Sequence, residues 1–173
     1  MDIITILTVN FNDTYFKHSL FYSLKELTFN KFKVIVCDNG SKENQFTELK
    51  KLSDKYSFVE IIKNKQSQKS SFGHGEALNL LISQSKTKYT LIIDGDALPL
   101  AKHWDKYLIN ELNSGIKIIG ATNPKERVGK RFGLGNFPLP CFAFFETEVF
   151  KNLEINNLPG NIQEGQDVCW SGR

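Results

Sequence analysis

The segment Tyr89-Thr90-Leu91-Ile92-Ile93-Asp94-Gly95-Asp96 ends an apolar run on two carboxylates one residue apart. Acids so spaced can hold a hard divalent cation, which takes oxygen ligands and leaves positions open for phosphate oxygens. Without a cation their repulsion raises one pKa and costs stability. The intervening Gly95 is expected to let the backbone turn tightly, so that both side chains face one small volume. The same pattern also reads as the acidic start of a loop, with Asp96 capping the segment that follows.

Other residues able to do chemistry fall at comparable places. Asn10 and Asp38 each close an apolar run, and His74 stands between two glycines in Phe72-Gly73-His74-Gly75. Asp38 has a second reading as a turn-forming residue before Asn39-Gly40, and His74 a second reading as an ordinary loop residue. Lys125, Arg127, Lys130 and Arg131 lie in a stretch rich in glycine and proline. That stretch reads either as a lid over a diphosphate or as a basic surface loop. Trp104 fits helix packing, with Tyr107 and Leu108 as its partners. Cys37, Cys141 and Cys169 lack the close pairs of zinc ribbons and redox motifs, so they read as reduced thiols in a cytoplasmic protein.

The elements that must position these residues follow from periodicity. Ile3 to Val9 is a continuous apolar, β-branched run, which suits a strand buried on both faces. Phe16, Leu20, Leu24 and Leu27 recur at helical spacing, and Phe32 to Cys37 reads as the next strand. Phe46, Leu49, Leu52 and Tyr56 mark a second helix, Phe58 to Ile62 a third strand, and Lys63 to Ser71 a loop. A helix is expected over Gly75 to Ser83, approached through the glycines around His74. Tyr89 to Ile93 is then the strand that delivers the acidic pair. Trp104 to Leu112 forms a further helix and Ile116 to Gly120 a strand. Asn123 to Pro140 has the composition of a long loop, of a kind that is uncommon unless it binds something. Cys141 to Phe145 reads as a last strand, with a helical turn around Val149 and Leu153.

Strands separated by helices imply crossover connections, a largely parallel sheet and a three-layer α/β/α sandwich. In such sheets ligands gather beyond the carboxyl ends of the strands, where Asn10, Asp38 and Asp94 would all fall. With 173 residues, one domain spanning 1–173 is the default. A net charge of +3 without a block of either sign does not point to nucleic acid. No apolar run approaches the roughly 20 residues needed to span a bilayer, and the N-terminus lacks the basic region of a signal peptide. No phosphate-binding loop of the form GxxxxGK followed by Ser or Thr occurs, and Gly133-Leu134-Gly135 is only a fragment of a dinucleotide fingerprint.

Four stretches in order carry a resemblance: Thr5-Ile6-Leu7-Thr8-Val9-Asn10-Phe11-Asn12, Val34-Ile35-Val36-Cys37-Asp38-Asn39-Gly40-Ser41, Gly73-His74-Gly75-Glu76-Ala77-Leu78-Asn79 and Asp94-Gly95-Asp96. Together they resemble the GT-A-fold glycosyltransferases, and within them the large inverting family 2. The match runs from residue 3 to about 105 and is far more specific than any single piece. Gly165-Gln166-Asp167 is similar to that family's acceptor-side motif, with Gln166 in place of the usual Glu. Leu78 also departs from the pattern, standing where many relatives carry Arg.

The resemblance implies a GT-A fold with a mainly parallel central sheet. Residues 1–105 would form the nucleotide-sugar donor half and 106–173 the acceptor-side half, shorter at its C-terminus than in relatives. It implies donor contacts at Thr8, Asn10, Asp38, Gly73, His74, Gly75, Asn79, Asp94 and Gly95. A Mn2+ or Mg2+ ion would be held by Asp96 and Asp94, with Asp94 also near the ribose, and Asp167 would be the catalytic base. The partners implied are a nucleoside-diphosphate sugar, a UDP-sugar foremost, and a carbohydrate or glycoconjugate acceptor. Two alternatives stand beside a transferase. One is a nucleotide-sugar-binding module without transfer. The other is a nucleotidyltransferase, which would need a glycine-rich loop and a basic residue where Asn10-Phe11-Asn12-Asp13 stands.

Overall fold

The computed structural model describes residues 2–65, 71–121 and 139–160. The first strand, β1 (Ile4–Asn10), leads to α1 (Thr14–Leu27), β2 (Phe32–Asp38), α2 (Glu43–Ser53) and β3 (Val59–Lys63). Then come α3 (Ser71–Gln84), β4 (Tyr89–Ile93), α4 (Trp104–Asn113), β5 (Ile118–Gly120), β6 (Phe142–Glu146) and α5 (Thr147–Asn152). The six strands form one sheet in the order β3-β2-β1-β4-β6-β5. The first four are parallel, and β6 runs antiparallel to both β4 and β5. This is the mainly parallel α/β sandwich that the alternation of strand and helix implies.

Side-chain parity sorts the core into two layers, because successive residues of a strand face opposite ways. Ile4, Ile6, Val34, Val36, Leu91, Ile93 and Phe144 pack with Leu20, Phe21, Leu24, Leu49, Leu52, Trp104 and Leu112. On the other face Leu7, Val9, Ile35, Cys37, Ile92, Ala143 and Phe145 pack with Ala77, Leu78, Leu81 and Phe150. Helices α1, α2 and α4 therefore cover one face, and α3 and α5 the other. Right-handed crossovers require this arrangement. The chain moves outward from β1 through β2 to β3, then returns past β1 to β4, so its crossover helix must change sides.

That reversal defines where a ligand can enter. Pairing of β1 with β2 continues to Asn10↔Asp38, the end of both strands. Pairing of β1 with β4 stops at Leu7↔Ile92, three residues short of the end of β1. The sheet thus opens between β1 and β4 at their carboxyl ends, the topological switch point of the fold.

Several boundaries differ from the sequence reading: β5 begins at Ile118 rather than Ile116, and β1 and β3 each lie one residue later than expected. Helix α3 begins at Ser71 rather than Gly75, so Gly73 and His74 lie inside its first turn rather than in a loop before it. The final strand starts at Phe142, one residue later than expected, and Cys141 sits in the turn before it. Trp104 is buried against Phe142 and Phe144, as helix packing predicts, but Tyr107, expected beside it, is exposed. Among the described residues no helix is long and apolar enough to cross a membrane.

Candidate functional site

The carboxyl edge of β1 and β2 is tied together by short polar side chains. Asn10 is fully buried, and its Nδ2 donates to Asp38 Oδ1 at 2.9 Å and to Ser41 Oγ at 3.1 Å. Asn12, in the left-handed region at φ 57°, accepts from the Lys42 backbone N–H at 2.8 Å and donates its own N–H to Ser41 Oγ at 3.0 Å. Gly40 turns the chain with φ 83°, a conformation in which a Cβ would be strained. The loops after β1 and β2 therefore form one laced rim, with the Asp38 carboxylate beneath it at 3 % exposure.

Two buried polar atoms at the end of β1, a hydroxyl and an amide oxygen, are unspent. Thr8 Oγ1 and Asn10 Oδ1 have no hydrogen-bond partner among the described residues. Buried polar atoms are normally paired, so unpaired ones beside an open sheet edge mark a place for water or ligand.

Asn39 is a site residue that the motif reading passed over. It is buried, donates to the Gly73 carbonyl of α3 at 2.9 Å and accepts from Asn64 Nδ2 at 2.9 Å. One amide thus joins the ends of β2 and β3 to the first turn of α3, and so positions His74. His74 Nε2 lies 4.0 Å from Asp94 Oδ1.

The acidic pair occupies the opened edge of β4. Asp94 is half-buried, with its N–H on the Cys141 carbonyl at 3.0 Å, while Asp96 is exposed. Burial is the main reason that the Asp94 carboxyl is pushed above its usual range. Asp96 adds to the shift, and His74 and Lys17 oppose it.

The backbone does turn tightly at Gly95, with the Ala97 N–H on the Asp94 carbonyl at 3.1 Å, but without the left-handed φ that Gly40 and Gly115 adopt. The missing side chain of Gly95 leaves room: a Cβ at this position would collide with Lys17 Nζ and come within 2.6 Å of Asp13 Oδ2. Lys17, on α1, is fully buried and pairs with Asp13 at 2.9 Å. Desolvation pulls its pKa down, and Asp13, Asp94 and Asp96 work against that.

Gly75 shows the same economy of space. A Cβ there would lie 2.5 Å from the Asn157 carbonyl oxygen, so the segment after α5 crosses α3 only because residue 75 is glycine. Asn79 holds that segment. Its Oδ1 accepts from the Asn157 backbone N–H at 3.0 Å and from Asn157 Nδ2 at 2.7 Å. Its Nδ2 donates to Asn156 Oδ1 at 2.9 Å.

The structure therefore brings Thr8, Asn10, Asp38, Gly73, His74, Asp94, Gly95 and Asp96 to one edge, whereas Asn79 and Gly75 meet residues 156–158. Asp167 and the basic cluster from Lys125 to Arg131 lie outside the described residues.

Asp94 and Asp96 offer the hard oxygen ligands that Mg2+ or Mn2+ takes. Among the described residues no group of three or more His, Cys, Asp or Glu converges on one point. These two carboxylates are the residues that would hold such an ion.

Comparison with known proteins places this geometry. The profile described as glycosyl transferase family 2 matches residues 5–173. No curated protein matches the chain. Solved structures do. The mannosyltransferase PcManGT from Pyrobaculum calidifontis, in complex with GDP-Man and Mn2+, is 15 % identical with a TM-score of 0.66, over 87 % of this chain and 46 % of that one. TarS 1-349 of S. aureus, in complex with UDP-GlcNAc, is 17 % identical with a TM-score of 0.70, over 99 % and 52 %. Glucosyl-3-phosphoglycerate synthase from Mycobacterium tuberculosis, in complex with phosphoglyceric acid, is 16 % identical with a TM-score of 0.61, over 86 % and 58 %. At these identities the likeness shows the fold, and this chain spans about half the length of the structures it matches. With a family profile covering nearly all of its residues, the chain belongs to glycosyl transferase family 2.

Proposed function

We propose that the chain forms the donor-binding part of a metal-dependent, inverting glycosyltransferase that uses a nucleoside-diphosphate sugar, a UDP-sugar foremost. The observation that carries this reading is the opening of the sheet between β1 and β4. It sets the Asp94-Gly95-Asp96 turn beside the buried Asn10 and Asp38 rim. One end of that crevice suits a nucleobase and ribose, and the other suits a diphosphate. The neighbours bound to GDP-Man and to UDP-GlcNAc support a donor of this class.

In this reading Asp96 and Asp94 hold Mn2+ or Mg2+, and the ion supplies Lewis-acid stabilisation of the leaving diphosphate. Asp94 also reaches the ribose. Thr8 Oγ1 and Asn10 Oδ1 supply acceptors to the nucleoside, and Asp38 fixes the Asn10 amide from below. Gly73 and His74 at the start of α3 line the same crevice, and His74 carries a donor toward phosphate or sugar. Gly75 and Asn79 act behind it, seating the 156–158 segment. Asp167 takes the proton of the attacking hydroxyl of a carbohydrate or glycoconjugate acceptor, a role resting on its resemblance to the family's acceptor-side motif. Attack opposite the leaving group through an oxocarbenium-like state inverts the anomeric centre in one displacement. Residues 1–105 serve the donor and 106–173 the acceptor within one domain, in a cytoplasmic setting that suits its thiols.

Incubation with a nucleotide sugar, Mn2+ and a panel of sugar acceptors, followed by proton NMR of the product, tests the reading. An inverted anomer, lost in Asp167→Asn while nucleotide binding persists, is expected. A retained anomer overturns it. Binding of the nucleotide sugar without turnover would instead select a nucleotide-sugar-binding unit.

A further inference from the structure

Lys17 has no assigned part in a donor site built from strand ends, yet it is fully buried beside one. It belongs to the inward stripe of α1 with Leu20, Phe21 and Leu24, at spacings where an apolar side chain would pack without loss. A buried ammonium is costly unless paired. Its partner is Asp13, at 2.9 Å and one helical turn earlier. Its Nζ fills the space that a side chain at Gly95 would need. A side chain between the two acids would have to displace that ammonium.

We propose that Lys17 is a resident counter-charge of the acidic turn. It holds Asp94-Gly95-Asp96 in place before any divalent ion arrives, and it weakens the turn's hold on that ion alone, so that cation and nucleoside diphosphate are taken up together. The inference deepens the donor-site reading and rests on it. Asp13 holds the ammonium at 2.9 Å, and Asp94 and Asp96 flank the Gly95 against which its Nζ lies. A cation approaching alone meets a cluster already partly neutralised. A cation carrying a diphosphate brings anionic oxygens that Lys17 also attracts. Lys17 acts through the turn and is therefore a positioning residue.

The test is titration of the full chain with Mn2+ alone, following free Mn2+ by electron paramagnetic resonance, and again with UDP or GDP present. Lys17→Met keeps the length of the stem and removes the charge. It should bind Mn2+ alone about tenfold or more tightly than the unsubstituted chain, and show less tightening when UDP or GDP is added. A purely packing role would instead loosen the turn and weaken Mn2+ binding. Weaker or unchanged Mn2+ binding by folded Lys17→Met overturns the proposal.

Asp13→Asn, at a side chain 30 % exposed, decides the matter should Lys17→Met not fold. It unmasks the ammonium, so Mn2+ binding should weaken while UDP or GDP binding in EDTA strengthens. Unchanged metal-free nucleotide binding in that variant overturns the proposal. Absence of nucleotide binding by the unsubstituted chain with Mn2+ would remove the donor reading, and the Mn2+-alone comparison would still decide Lys17.

Discussion

Replacing Gly75 by alanine sets two opposed effects against each other, and the structure says which wins. Gly75 lies in the interior of α3, where Ala is preferred over Gly by about 1 kcal/mol. Helix propensity alone therefore predicts a more stable protein. The new Cβ, however, would lie 2.5 Å from the Asn157 carbonyl oxygen, 3.0 Å from its carbon and 3.0 Å from Leu158 Cα. These are backbone atoms, and they cannot swing aside as a side chain would. Overpacking of this kind costs about 1–3 kcal/mol. Displacing the segment also strains the two bonds from Asn157 to Asn79 Oδ1, each worth about 1 kcal/mol. The expected net loss is about 1–3 kcal/mol, or a fall in Tm of roughly 3–10 °C for a chain of this size. Urea unfolding of the two proteins measures it. In an Asn79→Ala background the segment is already released, so the penalty should shrink. A stabilised Gly75→Ala, or a penalty unchanged by Asn79→Ala, would refute the account of how this segment is seated.

Two further predictions concern titrating groups. The folded state raises the Asp94 carboxyl above its ordinary 3.8, chiefly through burial, so the folded protein holds that proton more tightly than the unfolded chain. Its contribution to stability is thus fully present below about pH 3.8 and is lost as pH rises through the raised value. Asp94→Asn should gain stability relative to the unsubstituted protein across that window, and a pH-independent difference in urea unfolding would contradict this. The Cys37 thiol is pushed up to about 12, first by burial and then by Asp38. In a Cys169→Ser background, a maleimide at pH 8 should label Cys141 and leave Cys37 unmodified until the protein unfolds, and native labelling of Cys37 would count against its buried placement.

The strands and helices were legible because nearly all of them carry a plain period. The continuous apolar run from Ile3 to Val9 and the stripe through Leu20 and Leu24 place β1 and α1 without reference to anything distant. The acidic turn was legible as a motif because chemistry constrains the spacing of its acids. The close approaches were not. Gly95 and Gly75 look like flexible residues in one dimension, and only the Lys17 ammonium and the Asn157 carbonyl pressed against them show that absent volume is what matters. Lys17 itself left a signal: a charge on the apolar stripe three and seven residues before Leu20 and Leu24, which reads as a solvated lysine until α1 is docked. The antiparallel insertion of β6 between β4 and β5 escaped for another reason. Strand order across a connection as long as that from residue 121 to 141 depends on tertiary packing, on which local periodicity is silent.

The central claim is that the crevice between β1 and β4 binds a nucleoside diphosphate through the acidic turn. It is tested most directly by calorimetric titration of the full chain with UDP and with GDP, each with Mn2+ and again in EDTA, beside Asp96→Ala. The account predicts saturable binding of one of them with Mn2+, lost in Asp96→Ala while the fold, followed by circular dichroism, is unchanged. Binding that survives Asp96→Ala undiminished, or no binding of either nucleotide with Mn2+, would contradict it.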